Sequence, residues 1–125
     1  MSSEGKLYGP TLIDEMVATM ATLQERVTGS GALPSEAAQR AAERLQKMSE
    51  DLKSIRKMLF VKTQGGTELV GECLGPVNAM KATLEGLATA SPAEATGQVD
   101  AALRAVEEKV SLVVEKARSL VIRMT

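Results

Sequence analysis

The chain has 125 residues, 44% of them apolar, with one tyrosine, one phenylalanine, one cysteine, no histidine and a formal net charge of −1. That apolar share supports one self-sufficient core, while a lone cysteine excludes an internal disulfide and a cysteine-based zinc site. The lack of histidine removes the commonest general base and metal ligand, and interleaved acids and bases give no field steering the chain toward nucleic acid.

Residues 1–9 read as a flexible N-terminal arm, and residues 10–125 as a single domain. Gly9-Pro10 opens a first helix over about 10–28, because proline is tolerated where the amide would be unpaired anyway. Its stripe, Ile13, Met16, Met20, Leu23 and Val27, repeats at alternating steps of three and four. Only an α-helix places that spacing on one face. Gly29-Ser30-Gly31 stops it.

A second helix is expected over about 35–63, with Ser35 as N-cap and a stripe of Ala38, Ala41, Leu45, Met48, Leu52, Ile55 and Leu59. Glu36–Arg40 and Glu43–Lys47 are acid-before-base pairs suited to a solvated face. Gly65-Gly66 reads as the clearest turn in the chain.

The third helix, about 67–89, carries Val70, Cys73, Val77, Met80, Leu84 and Leu87. Gly75-Pro76 falls inside this stripe, so the helix is kinked or broken there, and a kink within one rod suits the unbroken phase. Cys73 on the stripe reads as a buried structural thiol. A second face of Gly71, Gly75, Ala79, Ala82 and Gly86 is expected to let a neighbouring helix approach closely.

Ser91-Pro92-Ala93-Glu94 forms a capping box that starts a fourth helix over about 92–124. Its stripe runs Val99, Leu103, Val106, Val110, Val113, Ala117, Leu120 and Met124. Four amphipathic rods with short connections give an all-α fold: an antiparallel up-down-up-down four-helix bundle with heptad-type packing.

Function is expected at the rod ends. At ~1.5 Å per residue the four rods measure ~28, ~43, ~34 and ~50 Å, so the second and fourth overshoot at one pole. Their tips are apolar, which nominates Met58, Phe60 and Val61 on the second helix as contact residues. Leu112, Val114, Val121 and Ile122 are nominated on the fourth. Lys53, Arg56, Lys57, Lys62, Lys116, Arg118 and Arg123 gather at the same pole. Helix dipoles favour cations there anyway, Asp14, Glu15, Glu68 and Glu72 offset them, and stacking aromatics are missing, all of which argues against nucleic acid.

The expectation is therefore a non-enzymatic interaction or assembly module, cytoplasmic, without cofactor or metal. It would self-associate, dock a partner helix or serve as a subunit of a larger complex. Reversible binding to a lipid surface is the alternative reading. Met16, Met20, Met48 and Met80 could adapt to a small apolar guest, but ordinary core packing is the preferred reading of them.

Overall fold

The first and fourth apolar stripes each build one helix, while the second and third are divided among shorter ones. In the computed structural model, residues 8–29 and 31–124 are described, with side chains through Leu120. Among them every regular element is helical: α1 (Gly9–Gly29), α2 (Ser35–Ile55), α3 (Leu59–Lys62), α4 (Gln64–Gly71), α5 (Leu74–Glu85) and α6 (Pro92–Met124), with a 3₁₀ turn over Leu87–Thr89.

Starts and stops follow local chemistry in part. The capping box before α6 forms both of its bonds: Glu94 N–H donates to Ser91 Oγ (3.2 Å), and Ser91 N–H donates to Glu94 Oε1 (3.0 Å). Ser35, expected as a cap, is instead the first residue of α2. Pro34 holds the cap position, and its carbonyl accepts the Ala38 N–H at 2.9 Å.

Two expectations about the middle of the chain are overturned. The second helix does not run to residue 63; it ends at Ile55, and Met58 turns extended (φ −72°, ψ 143°) before the single turn of α3. Gly65-Gly66 is not a turn. Thr63 is the cap of α4, its hydroxyl accepting the Gly66 N–H at 3.0 Å, so both glycines lie in the first turn of that helix.

The third rod is interrupted at Glu72 and Cys73, one turn ahead of Gly75-Pro76, and its last part is the 3₁₀ turn. A helix would bond the Glu72 carbonyl to the amide of residue 76, and proline has none. Glu72 and Cys73 stay in the right-handed region, so the stripe keeps its phase and Val70, Cys73, Val77, Met80, Leu84 and Leu87 are all buried.

The close-packed small-residue face is not found either. Gly75, Ala79, Ala82 and Gly86 are exposed, and of the three glycines Gly71 alone faces a neighbouring side chain, Leu12.

Packing closes a ring. α1 lies on α2, α2 on α6, α6 on α5, while α4 and α5 lie back on α1. Polar links mark the seams. Asp14–Arg56 and Gln24–Gln46 join α1 to α2 and its C-terminal end. Gly9–Thr67 and Arg26–Glu85 join α1 to α4 and α5. Arg44–Asp100, Arg44–Glu107 and Ser54–Arg118 join α2 to α6. The core is aliphatic and sulfur-rich, with Met16, Met20, Met48 and Met80 all buried. Ser49, the one buried polar side chain among the described residues, donates to the Met20 sulfur at 3.6 Å.

Candidate docking pole

The segment between α2 and α4 crosses one end of the molecule, and Val61 holds it there. Val61 is 0% exposed and packs beneath the first turn of α1. Two glycines make the approach possible. A methyl on Gly9 would collide with the Val61 carbonyl, and one on Gly66 with the Phe60 carbonyl. At both places backbone meets backbone, a contact only glycine permits.

Two threonines supply side-chain partners to the backbone of this crossing, where the Phe60 carbonyl also accepts the Thr63 N–H at 3.1 Å. Thr67 Oγ1 accepts the Gly9 N–H (3.1 Å) and donates to the Val61 carbonyl (3.2 Å). Thr63 Oγ1 donates to the Phe60 carbonyl (2.6 Å) while capping α4. Buried backbone groups left without such partners would each cost about 1–3 kcal/mol.

The protruding greasy tip expected on the second helix is therefore absent. Its residues divide: Val61 turns inward, Met58 and Phe60 are half-buried against the core, and Leu59 stands 64% exposed. Lys57 and Lys62 flank this patch, both exposed, with Lys53 and Lys116 exposed nearby in the chain order of α2 and α6.

Arg56 is bound to Asp14 through both carboxylate oxygens (2.6 and 2.7 Å), which holds the Asp14 carboxyl below its usual range, chiefly by hydrogen bonding. Arg118 is engaged with Ser54 at 2.9 Å.

On α6 the nominated residues also separate. Val114 is buried and belongs to the core, whereas Leu112 is 51% exposed on the outer face. The side chains of Val121 and Ile122, like that of Arg123, lie outside the described residues.

Among the described residues, the densest cluster of charge-assisted bonds lies elsewhere and is not announced by the sequence pattern. Arg44 on α2 donates to Glu107 through two nitrogens (2.8 and 2.7 Å) and to Asp100 through a third (2.7 Å). This fork geometry keeps the guanidinium charged and lowers the Asp100 carboxyl, with Arg44 hydrogen bonding the main cause. Nothing in the local spacing of α2 could announce it, since its acids sit more than fifty residues away. Gly9 and Thr67 are hidden for the same reason, whereas Thr63 and Gly66 meet within a few residues in a stretch whose pattern reads as helix and then turn. In the local pattern Gly9 marks only the opening of α1 and Gly65-Gly66 only a turn, and neither announces a seat for a crossing backbone.

Cys73 is fully buried beside the α4–α5 junction, and desolvation pushes its thiol up to about 11. A thiol so placed is a packing group rather than a nucleophile. Among the described residues no three metal-ligating side chains converge, and no helix is long and apolar enough to cross a membrane.

Chemically the crossing segment offers an exposed apolar residue, Leu59, between two exposed lysines, Lys57 and Lys62. No family model matches the chain, and neither a curated protein nor a solved structure matches it.

Proposed function

We propose that this chain is a non-enzymatic interaction or assembly module, working in the reducing cytoplasm, that docks a partner helix at the pole formed by α3 and the end of α6. The observation that carries the reading is Leu59, the most exposed of the described large hydrophobic residues, standing between half-buried Met58 and Phe60. Contact sites combine such an anchor with a polar rim, here Lys57 and Lys62.

The proposal includes the architecture that presents this pole: four rods, up-down-up-down, with α4 and α5 together forming the third. Support comes from the order of the seam links. Along α1 and α2 the partners run in opposite senses, 14 with 56 and 24 with 46. Along α2 and α6 they run in the same sense, 44 with 100 and 107, then 54 with 118. Parallel α2 and α6 ending at one pole follow from alternating rods, with α3 crossing the end to start the third.

The test is capture of a partner from the native source with the wild-type chain and with Leu59→Asp, whose helical circular dichroism is expected to be unchanged. Capture that is lost with Leu59→Asp supports the reading; a partner retained equally by both variants places the contact elsewhere.

A second reading rests on the lysines flanking Leu59, an arrangement suited to an anionic lipid surface. Flotation with anionic vesicles decides it, and a chain left at the bottom of the gradient removes it.

A further inference from the structure

The segment that crosses the pole is written as helix. Leu52, Ile55 and Leu59 continue the α2 stripe at three–four spacing, and residues 56–62 contain neither glycine nor proline. Arg, Lys, Met and Leu, which make up most of the segment, rank among the good helix formers. Yet Met58 is extended and the chain turns away. Local preference and global fold disagree here, a conflict that well-specified sequences avoid.

The covalent link between the α1–α2 hairpin and the α4–α6 unit is this one segment. Everything else joining them is non-covalent: the shared apolar core, Gly9–Thr67, Arg26–Glu85, Ser54–Arg118 and the Arg44 clamp. A straight helix from Ser35 through Lys62 would carry α4–α6 away from its own α1–α2. The same unit of a second copy could then fill the vacancy and remake each of those links between chains. The exchange gives up the Val61 plug. It gains helical hydrogen bonds through residues 56–62.

We propose that a second copy of this chain is a partner, and that the two associate by exchanging α4–α6 through straightening of residues 56–62. Such exchange is a low-cost route to a dimer, because the interfaces already exist within one chain. It does not rest on the docking reading: it concerns which chain supplies the inner contacts, not what sits on the pole.

One substitution separates the two conformations. Proline at position 59 suits the crossing form, because Leu59 opens α3 and Met58 before it is already extended. In the straight helix the same proline would lie in the interior, where it breaks the rod. Thr63→Ala acts in the other direction by removing the α4 cap and its bond to Phe60.

The chain is unfolded in urea, refolded at high concentration and sized by light scattering. It carries Arg26→Cys and Glu85→Cys, an exposed pair joining α1 to α5, treated with a short bismaleimide; Cys73 is buried away from the reagent. The expected result is a dimer whose crosslinks join two chains on a denaturing gel. Leu59→Pro lowers the dimer fraction at least tenfold, and Thr63→Ala raises it severalfold. Monomers alone, a dimer crosslinked only within chains, or a dimer indifferent to Leu59→Pro would each overturn the proposal. Loss of exchange leaves partner capture by Leu59 untouched, and loss of capture leaves the crosslink pattern untouched, so the two readings fail separately.

Discussion

Two interruptions divide the helical stripes, one after Ile55 and one after Gly71, and they differ in cause. At the second, Pro76 cannot donate to the Glu72 carbonyl, and the backbone of Glu72 and Cys73 stays right-handed (φ −64°, ψ −19° and φ −70°, ψ −20°). The stripe continues in phase. At the first, no residue is a helix breaker, yet Met58 swings to ψ 143° and the chain changes direction. A local covalent fact explains one break. Distant partners explain the other: the site under Gly9 that takes Val61, and the threonines that satisfy the crossing backbone.

The contrast can be broken most forcefully at the glycines. Gly66→Ala and Gly9→Ala drive a methyl into a carbonyl that belongs to the crossing segment, and each is expected to cost about 3 kcal/mol in urea unfolding. Gly75→Ala, beside the second break and facing open space, is expected to stabilise by about 0.5 kcal/mol instead. Equal effects at the two breaks would remove the distinction.

Next in size is Val61→Ala, expected to cost about 2 kcal/mol through lost burial and the cavity left behind, against less than about 0.5 kcal/mol for Leu59→Ala. If the order reverses, α3 is not held by its valine. Pro76→Ala is smaller again, within about 1 kcal/mol, because it adds a single hydrogen bond. Its sharper readout is hydrogen exchange. The new amide at position 76 gains protection and α4 fuses with α5, whereas an interruption that persists has some other cause.

The mildest probe is pH, and it acts on the two breaks from opposite sides. Asp14, bonded to Arg56 beside the first break, titrates below its usual range in the folded chain. Its contribution is therefore present above that range and is lost as pH falls through it. Cys73, at the second break, is raised from 9.0 to about 11, so its contribution holds below about pH 9 and is lost as pH climbs toward 11. Amide exchange followed by residue is expected to show acid loosening the first break and alkali the second. Asp14→Asn flattens the acid limb, and Cys73→Ala flattens the alkaline one.

Much of the fold was legible because helical periodicity is a local signal. The stripe residues from Ile13 to Val27, Ala38 to Ile55, Val70 to Leu87 and Val99 to Ala117 are all buried, joined by Leu12, Leu33, Val61, Ala95 and Val114 from outside the stripes, while Leu59 is exposed. The capping box at Ser91 and Glu94 was legible for the same reason. The pole was not. Residues 56–62 carry a helical pattern, so periodicity extended α2 through them, and a glycine doublet resembles a turn whether it makes one or receives a neighbouring backbone.

The sequence by itself determined that this chain is helical and which face of each helix turns inward, because repeat spacing and capping act over a few residues. Only the tertiary structure decided that α2 stops at Ile55, that Val61 rather than Leu59 is swallowed, and that Arg44 finds its two acids. Those outcomes depend on groups far apart in the chain meeting at contact distance, and no local pattern records such meetings.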